Sequence, residues 1–141
     1  MRIARLLLPA ASLLLLAACA TTRLDDTQRL ALYQGQAGEP VKSIPYNDPM
    51  GWERVDDSHL LLKMRPREAW LLSLSEPCLD WGRASQVISI THQAGFVSAG
   101  FDRVEVPSSP LSCRISEIRP VDPVALRDAL NAHAAAARSG S

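Results

Sequence analysis

The sequence has few of the side chains that usually form active sites or metal centres. It contains three histidines and three cysteines in 141 residues, with no C-x-x-C pair and no cluster of cysteine and histidine at the spacing of metal ligands. It also lacks a nucleophile elbow, an H-E-x-x-H motif and a phosphate-binding loop. The sequence therefore favours a non-catalytic protein without a metal or cofactor.

An excess of positive charge is also absent. Fifteen Lys and Arg side chains balance fifteen Asp and Glu side chains, and only Lys42 and Lys63 are lysines. Without the two arginines of the first 18 residues, 13 basic side chains (15 − 2) face 15 acidic ones, a net charge near −2. Such a chain has no electrostatic reason to bind nucleic acid or an anionic membrane surface.

No hydrophobic run is long enough for a typical membrane-spanning helix. The uncharged stretch from Leu6 to Thr22 has 17 residues, only Leu6–Leu16 is strongly apolar, and Pro9 interrupts it. A spanning helix needs about 20 apolar residues. The basic start, the short apolar core and the small residues before Cys19 instead predict a secretory signal peptide over residues 1–18.

The end of this segment, Leu16-Ala17-Ala18-Cys19, closely resembles the lipobox of bacterial lipoproteins. The resemblance implies that the signal peptide is removed and that Cys19 carries the acyl chains that hold the protein in the membrane. Two or three chains bind far more firmly than one, because each buried methylene contributes about 0.8 kcal/mol. Ala20 at the next position resembles the default for transfer to the outer membrane, and residues 19–23 form the lipid anchor and tether.

The cysteine count agrees with an exported protein. If Cys19 is acylated, Cys78 and Cys113 remain, and an oxidising compartment favours a disulfide between them. This bond closes a loop of about 36 residues and stabilises the fold by roughly 3–4 kcal/mol in the chain-entropy model. The alternatives are two buried free thiols or half of a metal site, and the absence of ligand spacing in the sequence disfavours the metal site.

The middle of the chain alternates apolar and polar residues, as β-strands do. The clearest pattern is a hairpin of His59–Met64 and Ala69–Leu74 around a turn at Arg65-Pro66. Asp56-Asp57-Ser58 is predicted to be the preceding turn. Further strands are predicted over 41–44, 52–55, 86–91, from position 96 onward, and over 113–118.

The strand that begins at Phe96 has an irregular pattern. Val97 and Phe101 share one face, whereas Val104 and Val106 share the other if the alternation continues. A β-bulge or glycine bend near 100–103 is therefore predicted to bring both sets onto one core, and such bends let a small sheet curl toward a barrel.

A helix is predicted at each end of the folded region. The first opens at Asp25 and Asp26, with Thr22 as the N-cap, and ends at Gly35; the second is capped by Asp122. The predicted fold is mainly β: a single curled antiparallel sheet or small open barrel of about six strands, flanked by the two helices and braced by the disulfide. It forms one domain over residues 24–137, and 138–141 are predicted to be a disordered tail.

Few residues qualify as functional candidates. His59 follows two aspartates and a serine, but consecutive residues do not supply the geometry of a catalytic triad, so a surface position is predicted for it. The pattern places Trp70 in the core. Trp52 and Trp81 are less determined by the pattern, and we predict that they form a partner surface.

Much of the chain resembles a family of small Gram-negative lipoproteins that is defined only by a domain of unknown function. The resemblance covers roughly residues 31–130, and its most specific part is the two-cysteine frame with the run C-R-I-x-E-I-R-P-V-D. The matching residues are Ala31-Leu32-Tyr33, Ala37-Gly38, Pro40-Val41, Trp52, Arg65-Pro66, Cys78, Phe101-Asp102, Cys113-Arg114-Ile115 and 118–122. The family implies no activity, cofactor or catalytic residue.

These observations lead to one expectation and two alternatives. We expect a lipid-anchored envelope protein on the periplasmic face of the outer membrane, held by acyl chains on Cys19, whose domain is a non-catalytic module that contacts an envelope protein or a cell-wall component. The first alternative is an inhibitor of a cell-wall-degrading enzyme, by analogy of fold alone. The second is a small hydrolase or ligand binder, which a deep pocket with groups from different strands would favour.

Overall fold

The computed structural model describes residues 23–79, 87–107 and 110–140. The predicted signal peptide, Cys19, Thr22 and Trp81 lie outside these residues. The elements in chain order are α1 (Asp26–Gly35), β1 (Ser43–Pro45), β2 (Gly51–Asp56), β3 (His59–Arg65), β4 (Glu68–Leu74), β5 (Ser89–Ile90), β6 (Phe96–Ser98), β7 (Arg103–Glu105), β8 (Ser112–Val121) and α2 (Pro123–Ser139).

Six strands form one curled antiparallel sheet in the order β2-β3-β4-β8-β7-β5, shaped as a half-barrel. This confirms the predicted mainly β fold with two flanking helices. A second, two-stranded sheet of β1 and β6 packs on the apolar core. It arises because the strand predicted from Phe96 is interrupted, so that β6 and β7 join different sheets.

The β3–β4 hairpin is confirmed, and both of its faces are buried. One face contributes Leu60, Leu62 and Leu72 to the larger core, inside the curl of the sheet. The other face contributes Leu61 and Leu71 to a second core that also contains residues of α1 and α2. This two-sided burial explains why the strand carries consecutive leucines instead of strict alternation.

The prediction that Phe101 faces the core is wrong. The predicted bend does occur, since Gly100 has φ +83° and Val97 and Val104 are both buried. However, the chain turns sharply enough at this glycine to direct Phe101 into solvent, where 82% of its surface is exposed. A residue at a turn has no sheet neighbour to cover it, and the period-two pattern does not apply there.

Both helices begin at aspartates. The N-cap of α1 is Asp25 and not Thr22, so that prediction is wrong: Asp25 accepts a hydrogen bond from the Gln28 amide at 2.8 Å, and the Gln28 side chain completes a capping box. Asp122 caps α2 as predicted, with Pro123 in the first turn. The second helix continues to Ser139, so residues 138 and 139 of the predicted tail are helical.

The disulfide between Cys78 and Cys113 is present, with 6.0 Å between the two Cα atoms. It joins the segment after β4 to the first half of β8, which confirms the predicted neighbourhood of these two segments. Both cysteines are buried in the larger core. The disulfide therefore holds the end of the β3–β4 hairpin against β8 inside the larger core.

Candidate functional site

The predicted partner surface is only partly described. Trp52 lies on the edge strand β2, where it is partly buried and packs against the larger core, while Trp81 lies outside the described residues. Trp70 is also partly buried against this core, as its position in the alternating pattern predicted. The pairing of Trp52 with Trp81 stays a prediction.

His59 is partly buried and held by a turn. Its Nδ1 atom lies 2.8 Å and 3.0 Å from the two carboxylate oxygens of Asp56, which also accepts a hydrogen bond from the Ser58 amide at 2.7 Å. The aspartate thus organises the β2–β3 turn. Ser73 lies opposite His59 on β4, but within the described part of the chain no hydrogen bond joins its hydroxyl to the imidazole. The contact between Asp56 and His59 is therefore explained as part of the turn structure.

The most distinctive concave surface is an apolar groove between α2 and the β2–β3 hairpin. Its volume is about 250 Å³. Leucines of the sheet and of α2 line it, together with a set of three linked polar side chains. The lining residues are Tyr33, Glu53, Leu61, Lys63, Pro123, Leu126, Arg127, Leu130 and Asn131.

The three polar side chains of the groove are hydrogen-bonded to one another. Tyr33 donates its hydroxyl hydrogen to one carboxylate oxygen of Glu53, and the Lys63 ammonium donates to the other oxygen at 2.8 Å. Burial raises the pKa of Glu53, but the hydrogen bonds from Lys63 and Tyr33 outweigh it and lower the pKa below its usual value. Burial, with the Glu53 carboxylate beside it, raises the pKa of the Tyr33 phenol. Tyr33 therefore stays protonated and Glu53 ionised at neutral pH.

A second, polar pocket of about 310 Å³ lies near the end of α1 and is lined by Gln34, Leu71, Ser73, Glu117 and Arg119. The Arg119 Nε atom donates to Glu117 at 2.6 Å. This bond lowers the pKa of Glu117. Because the two charges neutralise each other, the pocket offers hydroxyl and amide groups rather than a net charge.

Sequence reasoning missed both concave surfaces. Tyr33 belongs to the run that carries the family resemblance, but no contact was predicted for it, and the sequence pattern did not single out Glu53. The two residues are 20 positions apart and meet only because α1 packs on β2. The one available indication was an acidic and a basic residue on adjacent predicted strands, at positions 53 and 63.

Acidic pH is expected to destabilise the fold. The pKa of Glu53, Glu117 and Asp26 is lowered in the folded chain, the last chiefly by a hydrogen bond from Arg54. The unfolded chain therefore binds more protons, and this stability is present above the unfolded pKa values of about 4 and is lost as pH falls below them. Urea unfolding should give a constant midpoint from pH 6 to 8 and a lower one at pH 3.5.

The Glu53→Gln variant is the control for this pH dependence. Its carboxamide does not titrate, so the difference in midpoint between pH 7 and pH 3.5 should be smaller than in the wild type. A midpoint that rises on acidification would contradict the assignment of lowered pKa values.

Within the described residues, no group of three or more His, Cys, Asp and Glu side chains is placed to hold a metal ion. No helix of this part of the chain is both long and apolar enough to cross a membrane.

Comparison with known proteins identifies a family but no characterised relative. No curated protein matches the chain. No solved structure matches it either. Residues 2–137 match the family of unknown function DUF6491, which agrees with the resemblance to an uncharacterised domain. Since the match covers nearly the whole chain, the protein belongs to this family of unknown function.

Proposed function

We propose that this protein is a lipid-anchored component of a bacterial cell envelope, with Cys19 as the acylated residue. The observation that carries the proposal is the arrangement of the three cysteines. Cys78 and Cys113 are joined to each other, so Cys19 is the one cysteine of the sequence outside that disulfide. It directly follows the lipobox-like run of residues 16–18 and precedes the folded domain.

The domain is proposed to act as a non-catalytic interaction module, with the apolar groove as its docking site. The groove has room for one or two large side chains, and its walls are leucines. Because its three polar side chains are already hydrogen-bonded to one another, an apolar group enters without leaving a buried partner unsatisfied. Two exposed apolar residues neighbour the lining residues along the backbone: Met50 donates its amide hydrogen to the Lys63 carbonyl, and Val124 follows Pro123.

The partner expected at this groove is an envelope protein that presents an apolar side chain. The two basic side chains of the groove, Lys63 and Arg127, are paired with Glu53 and Asp128, so the groove carries little net charge and favours apolar recognition over binding of a polyanion.

Co-purification from detergent-solubilised membranes tests this role. Leu130→Glu places a charge in the groove at a position that is only partly buried, and we expect it to remove a co-purifying protein that the wild type retains. The control is Val87→Glu, an exposed position outside the groove. If both variants retain the same proteins as the wild type, the groove is not the docking site.

A further inference from the structure

The polar pocket near the end of α1 lies on the face of the sheet that the helices partly cover. On this face, Leu61 and Leu71 lie opposite each other and belong to the second core. Two residues farther along β4, Ser73 lies opposite Glu117 of β8, and both side chains are only partly buried. The sheet face therefore changes from apolar to polar at this point, and the pocket forms where it does so.

A third strand continues this polar row. His59 of β3 lies opposite Ser73, and the Asp56 carboxylate holds its Nδ1 atom at 2.8 Å. The imidazole does not line the pocket, but it acts on a residue that does. The pKa of Glu117 is lowered chiefly by the hydrogen bond from Arg119, and the charge of His59 contributes to the same shift. Polar groups of three strands are thus close together on one face.

Two polar side chains of the pocket are not used by the fold. The recorded bonds of Ser73 and Gln34 involve their backbone, since the Ser73 carbonyl accepts from the Ser116 hydroxyl and the Gln34 carbonyl accepts from the Ala37 amide. Neither the Ser73 hydroxyl nor the Gln34 carboxamide is hydrogen-bonded to another described residue. The polar side chains of the groove, in contrast, bond to one another. The pocket can therefore offer hydrogen bonds to a polar ligand.

The charged pair of the pocket also retains hydrogen-bonding capacity. Arg119 donates from Nε and Nη2 to the two Glu117 oxygens at 2.6 Å and 3.3 Å, and from Nη1 to the Gly38 carbonyl at 3.4 Å. Its other N–H groups and the remaining lone pairs of the carboxylate stay available. An anion would meet the carboxylate and a cation would meet the guanidinium, so the pair favours a neutral ligand.

We propose that this pocket binds a neutral carbohydrate ring, with Gln34, Ser73, Glu117 and Arg119 contacting the hydroxyl groups of the sugar. A hydroxyl both donates and accepts, so a ring with several hydroxyls matches a pocket that presents donors and acceptors without net charge. Leu71 is available to the C–H groups of the ring. The volume of about 310 Å³ is at the lower end of the range for small-molecule sites, which suits one ring.

This binding activity is separate from the proposed docking groove and does not depend on the lipid anchor. It corresponds to the ligand-binding alternative of the sequence analysis, which groups from different strands were expected to favour. The residues that line the pocket include no aromatic side chain, so stacking on the sugar ring does not contribute. Hydrogen bonds that replace bonds to water give modest affinity, and we expect a Kd of about 1 mM.

The test is saturation-transfer difference NMR on the purified full chain in a zwitterionic detergent that has no sugar headgroup. The probes are N-acetylglucosamine and glucose, which share the neutral ring and differ in the acetamido group. Binding of either sugar supports the proposal, and the tighter of the two distinguishes an amino-sugar glycan from a plain hexose glycan as the natural source. A titration gives the Kd of each.

Two single variants assign the binding to the pocket. Gln34→Ala removes the exposed carboxamide, and Ser73→Ala removes the hydroxyl with little change in volume. Each should raise the Kd about fivefold, the loss expected for one hydrogen bond. The matched control is Gln93→Ala, the same substitution at an exposed position in the turn before β6, and it should leave the Kd unchanged. Urea unfolding checks that each variant retains its fold.

The outcomes also separate the pocket from the groove. Leu130→Glu alters the groove and should bind the sugar as the wild type does, whatever its effect on a co-purifying protein. Loss of sugar binding in Leu130→Glu would assign the sugar to the groove and overturn this inference. Absence of saturation transfer to both sugars in the wild type would overturn it as well, as would an unchanged Kd in both Gln34→Ala and Ser73→Ala.

Discussion

A chain with Cys19→Ala, exported behind a cleavable signal peptide of a non-lipidated protein in place of residues 1–18, is expected in the soluble periplasmic fraction. The native chain is expected almost entirely in the membrane fraction. The difference is large because one acyl chain gives only marginal binding, whereas two or three give stable attachment. The replacement of residues 1–18 is necessary, since an uncleaved Leu6–Leu16 segment would itself retain the chain in the membrane.

The Cys19→Ala chain should also keep its stability. The disulfide joins Cys78 and Cys113 and does not involve Cys19. Fractionation followed by urea unfolding of the released protein measures both properties. Retention of the Cys19→Ala chain in the membrane would contradict attachment through this residue and would indicate that the folded domain binds the membrane by itself.

The double variant Cys78→Ala/Cys113→Ala is expected to lower the free energy of unfolding by about 4 kcal/mol, the value for a loop of this length in the chain-entropy model. The disulfide spans 35 positions and joins the end of the hairpin to β8. Because both cysteines are buried, the variant also loses packing contacts of the two sulfurs. Chemical unfolding of the oxidised wild type and of the variant measures the difference.

The two cysteine variants have opposite expected effects, and each is the control for the other. The double variant should remain in the membrane fraction with reduced stability, while Cys19→Ala should be released with unchanged stability. An unfolding midpoint of the double variant equal to that of the wild type would show that the disulfide does not brace the domain.

Local patterns predicted those parts of the fold in which each residue has regular neighbours. The alternation of Leu60, Leu62 and Leu72 identified the β3–β4 hairpin, and Asp122 followed by Pro123 located the start of α2. The disulfide followed from the cysteine count once Cys19 was assigned to the anchor. These are short-range properties of the chain, and they are visible without knowledge of the tertiary structure.

The remaining features depend on tertiary geometry. The outward direction of Phe101 follows from the turn at Gly100 and from the buried Asp102, whose partners Thr91 and Ser98 belong to two other segments. The groove likewise requires α1, α2 and the β2–β3 hairpin to come together. Sequence periodicity contains no information about such contacts between distant segments, so neither feature was predicted.

The mass of the mature protein, measured intact and without reduction, tests the lipid anchor and the disulfide together. We expect a chain of 123 residues (141 − 18) that starts at Cys19, carries two or three acyl chains on that residue, and is two hydrogens lighter because Cys78 and Cys113 are joined. A mass that shows residues 1–18 still attached, or an unmodified thiol at Cys19, would contradict the proposed lipid anchor.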